Sequence, residues 1–262
     1  MVRNRKRSIL WTSAAARRLR ERAGGCTDID QAVYTVAKEL LDGIECPPTD
    51  LTSLSAKVGV TRLEALDIAG SGELRRDAEG SAIVYSRYLT QPRRRFTIAH
   101  EVGHVIIEST GQHAPRNGRE VERLCDMLAA EMLVPRDVFA KRLPPNLSME
   151  DVFAISREFQ TSLSTTAIRC AELAGVSVFG VESGKITWAH GRMKKGRLDL
   201  LDDSLKSLIH AACAGTSGEE QLYLNHDGDV RAWKVQYQAL KRGNQALFLL
   251  QPLRSGTHPS IR

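Results

Sequence analysis

Apolar side chains recur every three or four residues over much of the chain up to residue 173, which is the spacing of amphipathic helices. Residues 27–41 carry such an apolar face, and Asp28 is placed to cap the first turn. After a pair of prolines, Asp50 is placed to begin a short helix that ends near residue 59. The pattern therefore predicts that the chain opens with two helices.

The middle of the chain changes from loop to strand to helix. Residues 70–80 are rich in glycine and charge, which indicates a turn or loop. Residues 82–89 alternate in polarity and contain β-branched side chains, which favours a strand. Two helices are predicted to follow, at 96–107 and at 120–135, and Pro135 ends the second.

Two further helices are predicted at 149–159 and 164–173, and together they look like a helix-turn-helix. They offer few basic side chains to nucleic acid, so packing is their expected role. From residue 176 the period changes to that of strands, which are joined by two hairpin turns. A helix at 202–214 lies between the early and the late strands.

These elements predict an α+β fold in two parts. Residues 25–173 are expected to form a mostly helical domain with a small sheet, and residues 176–252 a small α+β module. The segments 1–24 and 253–262 are expected to be disordered tails, because neither carries enough apolar surface to pack.

Composition narrows the class of protein. The chain has 262 residues, of which 42% are hydrophobic and 26% charged, as in an ordinary globular protein. No apolar run approaches the roughly 18 residues of a membrane span, so no membrane partner is expected. Five scattered cysteines with no Cys-x-x-Cys pair argue against a disulfide framework and against a zinc knuckle. A reducing cytoplasm is therefore the expected location.

Charge is concentrated at one end of the chain. The net charge is +6, but residues 1–22 hold eight arginines and lysines against one glutamate, so the remainder is close to neutral. Such a segment is typical of a solvated extension, and it is also similar to an organelle transit peptide. It offers a weak contact for nucleic acid or for an acidic partner.

The strongest chemical signal is a His-Glu-x-x-His motif inside the apolar helix at 96–107. His100 and His104 are four residues apart, so they lie on one helix face and can bind one metal ion. Glu101 is then placed to hold a water molecule and to act as its base. Burial of these three polar groups without a metal would be costly, which favours a zinc site.

A catalytic zinc needs a third protein ligand, and it must come from further along the chain. Glu122 and Asp126 share one stripe of the second helix with small residues, so Glu122 is predicted to reach the metal and Asp126 to hold a histidine ring. His113 is expected in a surface loop, with an oxyanion or substrate contact as its functional alternative. Glu131 lies off the stripe and is expected to be exposed. The candidates for the third ligand are His113, Glu120, Glu122, Asp126 and Glu131.

The two helix motifs resemble a known family. Residues 94–104 are similar to the R-F-T-x-A-H-E-x-G-H core of the ImmA/IrrE metallopeptidases, and residues 122–135 are similar to its E-x-x-A-N-x-F-A-A-x-L-L-M-P segment. The chain departs from the pattern without losing a catalytic group. The departures are Cys125 for Ala, Asp126 for Asn, Leu128 for Phe and Val134 for Met. Cys125 is expected to be a small core residue.

The resemblance implies a zincin-like peptidase with one zinc ion per chain. His100, His104 and Glu122 would bind the ion, and Glu101 would be the catalytic base. Family members typically cleave a helix-turn-helix repressor and so regulate transcription, often under stress, and some end in a GAF-like sensor domain. The alternatives are a DNA-binding or sensor regulator with a non-proteolytic zinc site, and a component of a toxin system.

The position of the predicted strand at 82–89, just before the metal helix, suggests where a substrate binds. In zinc peptidases such a strand lies at the rim of the cleft. Its free edge is expected to pair with an extended substrate by β-augmentation.

Overall fold

The computed structural model of the chain describes residues 11–78, 80–108, 118–192, 203–226, 229–240 and 244–253. These residues form two compact units. The first unit contains the residues up to 139 together with 157–162, and the second contains 140–156 and the residues from 163 onward. The fold is mixed α+β, as the sequence predicted. The predicted domain limits at 173 and 176 stay a prediction.

The first unit begins with three helices, α1 (Ala14–Arg22), α2 (Ile29–Leu41) and α3 (Leu51–Lys57). The Asp28 side chain accepts a hydrogen bond from the Gln31 N–H at 2.9 Å and so caps α2. Asp50 caps α3 in the same way. The predictions for α2 and α3 are therefore confirmed.

Helix α1 corrects the prediction that residues 1–24 are a disordered tail. Ala15, Ala16 and Leu19 are buried at 4%, 0% and 2% exposure and belong to the core of the first unit. The apolar face of this helix was not recognised from the sequence, because arginines lie between its small and apolar positions and make the segment as a whole strongly polar. Residues 1–10 lie outside the described part of the chain, as do residues 254–262 of the predicted second tail.

A three-stranded sheet follows, with strands β1 (Val60–Leu66), β2 (Gly72–Asp77) and β3 (Gly80–Ser86) in the order β1-β3-β2. β3 confirms the predicted strand at 82–89. The loop predicted at 70–80 is wrong, because β2 pairs antiparallel with β3 through most of that segment. The predicted free edge of β3 is also wrong, because β1 pairs with its other side.

Two long helices complete the first unit, α4 (Gln91–Glu108) and α5 (Arg119–Leu133), followed by the short α6 (Arg136–Ala140). Helices α4 and α5 pack closely at Gly103. A Cβ atom added at Gly103 on α4 would lie 3.0 Å from Cys125 Cα and 3.2 Å from Cys125 Cβ on α5. The core between them is apolar, with buried Ile98, Val102 and Leu128. The polar groups of α4 and α5 are therefore positioned by a rigid contact.

The remaining elements are α7 (Met149–Phe159), α8 (Leu163–Ala174), β4 (Ser177–Glu182), β5 (Lys185–His190), α9 (Asp203–Cys213), β6 (Gly218–His226), β7 (Asp229–Ala239) and β8 (Gln245–Pro252). The strands form an antiparallel sheet in the order β5-β4-β8-β7-β6, which confirms the predicted change of period. Phe179 and Phe248 stack at its centre with ring centroids 4.5 Å apart. No helix in the described part of the chain is long and apolar enough to cross a membrane.

Candidate metal centre

Two histidine rings project from one face of α4. His100 and His104 have ring centroids 4.9 Å apart in an edge-to-face arrangement. Their side chains are 16% and 9% exposed, so His104 is buried and His100 lies at the boundary between the core and an open cavity. This is the arrangement that the four-residue spacing predicted, because one helical turn separates the two residues.

Helix α5 brings a carboxylate against both rings. Glu122 Oε2 lies 3.3 Å from His100 Nε2, and Glu122 Oε1 lies 3.5 Å from His104 Nε2. Two ligands bound tetrahedrally at 2.0–2.2 Å from one ion are about 3.3–3.6 Å apart. The separations of these donors therefore fit a single zinc ion held by two imidazoles and one carboxylate.

Asp126 lies one turn beyond Glu122 on α5 and contacts the far nitrogen of one ring. Its Oδ1 is 2.9 Å from His100 Nδ1. When Nδ1–H donates to this carboxylate, the lone pair of Nε2 is left for a metal. Asp126 therefore fixes both the tautomer and the orientation of His100.

Burial and nearby charges shift the pKa values of His100 and Cys125. Burial lowers the pKa of His100, but the hydrogen bond and charge of Asp126, with the charges of Glu101 and Glu122, outweigh it and leave the pKa raised. Burial raises the pKa of the Cys125 thiol, and the same three carboxylates raise it further. The centre thus attracts positive charge, whether from protons or from a metal ion.

An open cavity of about 570 Å³ leads to these groups. Gly72, at the start of β2, lies against α4, because a side chain there would collide with Thr97 and lie 3.7 Å from Glu101 Cγ. Glycine at this position therefore lets the strand approach Glu101. The cavity is lined by Ser71, Gly72, Arg93, Phe96, Thr97, His100, Glu101, Glu122 and Asp126.

The structure brings together five of the predicted site residues, which are His100, Glu101, His104, Glu122 and Asp126. Their roles stay predictions. Glu120 does not join them, because its Oε1 accepts a hydrogen bond from the Ser13 N–H at 3.0 Å. His113 lies outside the described residues.

The expectation that Glu131 is exposed is wrong. This residue is 2% exposed, and its carboxylate binds both the backbone N–H and the guanidinium of Arg136. The cost of burying a carboxylate is offset when a neighbouring residue supplies a cation that pairs with it. Here the short turn after α5 brings Arg136 back over the helix end.

Sequence reasoning missed five residues of the cavity, of which the last two lie inside the family-like motif: Ser71, Gly72, Arg93, Phe96 and Thr97. Arg93 had a usable signal, since it lies seven residues before His100 and hence on the same face of α4. Ser71 and Gly72 had none, because only the packing of β2 against α4 brings them to the cavity.

Both helices of this centre lie within a segment of the chain that matches a known family. Residues 53–171 match the family described as the IrrE N-terminal-like domain, peptidase family M78. A solved structure described as a Mycobacterium tuberculosis transcriptional regulator is similar over 90% of this chain and 92% of that chain, with 15% identity and a TM-score of 0.53. At that identity the likeness concerns the fold alone. A search of curated proteins found no match.

Proposed function

We propose, from the premise that residues 53–171 are an IrrE N-terminal-like domain of the M78 zinc metallopeptidases, that this chain is a zinc-dependent endopeptidase. The observation that carries the proposal is the convergence of His100, His104 and Glu122 at 3.3 and 3.5 Å beside Glu101. This set supplies three ligands and a base, which leaves one position of the ion for water, as a catalytic centre requires.

In this proposal the side chains of the centre have separate roles in hydrolysis. When bound, the zinc ion supplies a Lewis acid that lowers the pKa of water and polarises the scissile carbonyl. Glu101 accepts the proton of the attacking water and then donates it to the leaving nitrogen. Asp126 keeps the His100 ring in place through its hydrogen bond to Nδ1.

Substrate recognition in this proposal uses β2. With the strand order β1-β3-β2, the outer edge of β2 has no strand partner among the described residues. An extended peptide would pair with that edge and pass over Gly72 toward Glu101. Among the described residues that line the cavity, Arg93 is the one arginine or lysine, so an acidic substrate side chain would be favoured near the start of α4.

The proposed substrate class is a DNA-binding repressor or an antitoxin-like protein in the cytoplasm. Two observations support it. The helix motifs resemble those of the ImmA/IrrE metallopeptidases, and the similar Mycobacterium tuberculosis structure is described as a transcriptional regulator. A protein with a narrow substrate range needs recognition beyond the metal centre, which the β2 edge and Arg93 would provide.

The test is to incubate the zinc-loaded protein with candidate repressors, with and without a chelator, and to identify fragments by mass spectrometry. The variant Glu101→Gln is expected to keep zinc and to lose cleavage by about 10²–10⁴-fold. Glu120→Gln is the matched control, because this carboxylate binds Ser13 and lies outside the cavity lining. Full cleavage by Glu101→Gln would refute the role of the base.

The competing function is a regulator with a non-proteolytic zinc site. It would be supported if the wild type bound zinc and shifted DNA in a gel at moderate salt, yet cleaved none of the candidate proteins.

A further inference from the structure

The cavity at the metal centre extends toward the start of α4, beyond the residues that bind the metal in the proposed function. Phe96 and Arg93 line this part of it, and both precede His100 on the same face of the helix. At a rise of about 1.5 Å per residue, they are displaced from His100 by about 6 and 10 Å along the helix axis. One wall of the cavity therefore presents an aromatic ring first and a cation farther out.

The Phe96 ring gives this wall an apolar surface. The residue is half-buried and packs against the core of the first unit. Its ring centroid lies 6.3 Å from that of His100, with the two planes tilted by 36°. One part of the ring thus contacts the core and another part borders the cavity. An apolar side chain that covered the bordering part would remove apolar surface from water, which is favourable.

The Arg93 guanidinium is available to a bound molecule. Its side chain is exposed, and within the part of the chain that the structure describes no carboxylate pairs with it. Arg95, two residues later, differs because its Nη2 donates to the Thr49 carbonyl at 2.7 Å. A guanidinium carries five N–H donors and binds carboxylates especially well. Arg93 is therefore suited to an acidic side chain of a peptide in the cavity.

Strand β2 sets the direction in which an extended peptide crosses the cavity. A side chain at Gly72, the first residue of β2, would lie 3.7 Å from Glu101 Cγ. Four residues later, Arg76 Nη2 lies 2.9 Å from Glu108 Oε2 at the end of α4. β2 therefore runs along α4 in the same direction. A peptide on the outer edge of β2 would also run along α4, and its continuation beyond Gly72 would pass the wall described above.

We infer that Phe96 and Arg93 form a two-part specificity subsite for an apolar side chain beside the scissile bond and an acidic side chain farther along the peptide. An extended peptide advances about 3.3 Å per residue, so about 10 Å corresponds to about three residues. Side chains at the first and third positions from the scissile bond point to the same side of an extended chain, so both face α4. The inference rests on the proposed function and specifies the peptide sequence that its centre accepts.

The experiment measures binding to the zinc-loaded, full-length protein without any cleavage. The probes are synthetic peptide hydroxamates, whose hydroxamate group binds an open position of zinc. One series carries the peptide on the amino side of this group and a second series on the carboxyl side. Leucine or asparagine stands at the first position, and glutamate or lysine at the third. Calorimetry gives the affinity of each probe.

In one of the two series, the wild type is expected to prefer leucine to asparagine by roughly 10-fold, because an apolar side chain is partly buried. It is expected to prefer glutamate to lysine by roughly 5-fold at low salt, as for an exposed ion pair, and less at high salt. These two preferences depend on no variant. Equal affinities for all probes in both series would overturn the inference.

Arg93→Glu should invert the preference at the third position and leave the preference at the first position unchanged. Arg94→Glu is the matched control, because it makes the same change of charge at an exposed position outside the cavity lining. This control should keep both preferences. A preference for glutamate that persisted in Arg93→Glu, or that disappeared in Arg94→Glu, would count against the subsite.

Phe96→Ala should lower the preference for leucine to roughly 3-fold or less, because little apolar surface remains. Phe96→Leu should retain most of it and preserve the packing against the core. An unchanged preference in Phe96→Ala would exclude the ring from the subsite. If the wild type binds no probe of either series, the open metal position and the proposed function both fail. Binding without selectivity overturns this inference alone.

Discussion

Glu122 and Glu131 are two acids on the same helix, and their surroundings differ in kind. Glu131 is 2% exposed, accepts a hydrogen bond from the Arg136 N–H at 2.9 Å and binds its guanidinium at 3.1 Å. The Glu122 side chain is 44% exposed and faces two imidazole nitrogens at 3.3 and 3.5 Å. The more deeply buried acid is the one with a complete set of partners within the protein.

The difference shows that burial by itself does not identify a functional acid. The charge of Glu131 is neutralised by a cation of the same chain, which is what a structural ion pair requires. Glu122 lines a cavity with Glu101, Asp126 and His100, and it also lies 3.5 Å from His104. A metal ion bound there would offset the negative charge of the three carboxylates.

A second cavity, of about 290 Å³, can be compared with the one that Glu122 lines. Two of its charged residues, Lys38 and Asp137, pair with each other, since Lys38 Nζ and the Tyr34 hydroxyl both donate to Asp137 Oδ2, at 3.1 and 2.7 Å. The Arg136 guanidinium lies over the Tyr34 ring, 4.7 Å from its centroid. Tyr34, Lys38 and Asp137 therefore have a structural arrangement, whereas Glu122 and the two histidines remain the candidate for metal binding.

The largest expected effect is that of Glu122→Ala on metal binding. Loss of a direct ligand should lower zinc affinity by roughly 1,000-fold or more, which exceeds the 10–100-fold typical of outer partners. The stability of the metal-free protein should hardly change, because no buried cation loses its partner. Competition with a chromophoric chelator and thermal unfolding measure the two quantities. A large loss of metal-free stability would remove the distinction between the two acids.

Glu131→Ala should give the opposite result. It removes the carboxylate that accepts from the guanidinium and N–H of Arg136. We therefore expect a loss of about 3 kcal/mol in the free energy of unfolding, at the low end for a buried pair because Arg136 is partly exposed. Zinc affinity of the folded protein should stay unchanged. Denaturant unfolding measures the loss, and the double variant Glu131→Met with Arg136→Leu should recover part of it. A loss of zinc affinity in folded Glu131→Ala would contradict the assignment.

Asp126→Asn should have an intermediate effect on the metal centre. The amide oxygen can still accept the hydrogen bond from His100, so zinc affinity should fall by about 10-fold, the lower end for an outer partner. In the metal-free protein the pKa of His100 should fall as well, because Asp126 is the largest cause that raises it. A titration of the histidine ring by NMR tests this, and an unchanged pKa would count against the pairing.

Asp137→Asn should have the smallest effect. Hydrogen bonds from Tyr34 and then from Lys38 lower the pKa of Asp137 below its ordinary value of 3.8. Their stabilising effect is therefore present above pH 3.8 and is lost as the pH falls through the lowered value. The variant should be slightly less stable than the wild type at neutral pH and equal to it in strong acid, as unfolding measured across that range would show. Zinc affinity should not change, and a change would link the two clusters.

Local patterns were sufficient where the structure depends on neighbours in sequence. Asp28 and Asp50 cap the helices that they were predicted to cap, because the bond joins residues two or three positions apart. The one-turn spacing placed His100 beside His104 for the same reason. Patterns failed for α1, whose apolar face is hidden among arginines, and for β2, whose glycine and charge looked like a loop.

What the sequence by itself determined is which polar side chains share a helix face. A His-Glu-x-x-His helix followed by a Glu-x-x-x-Asp helix places His100 with His104 and Glu122 with Asp126, because the helical period sets which side chains lie together. Only the tertiary structure decided that β2 lies at the sheet edge with its Gly72 against α4, that Glu131 is buried with Arg136, and that Cys125 lies beside His100 and His104. These are contacts between separate elements, and they follow from how whole helices and strands pack.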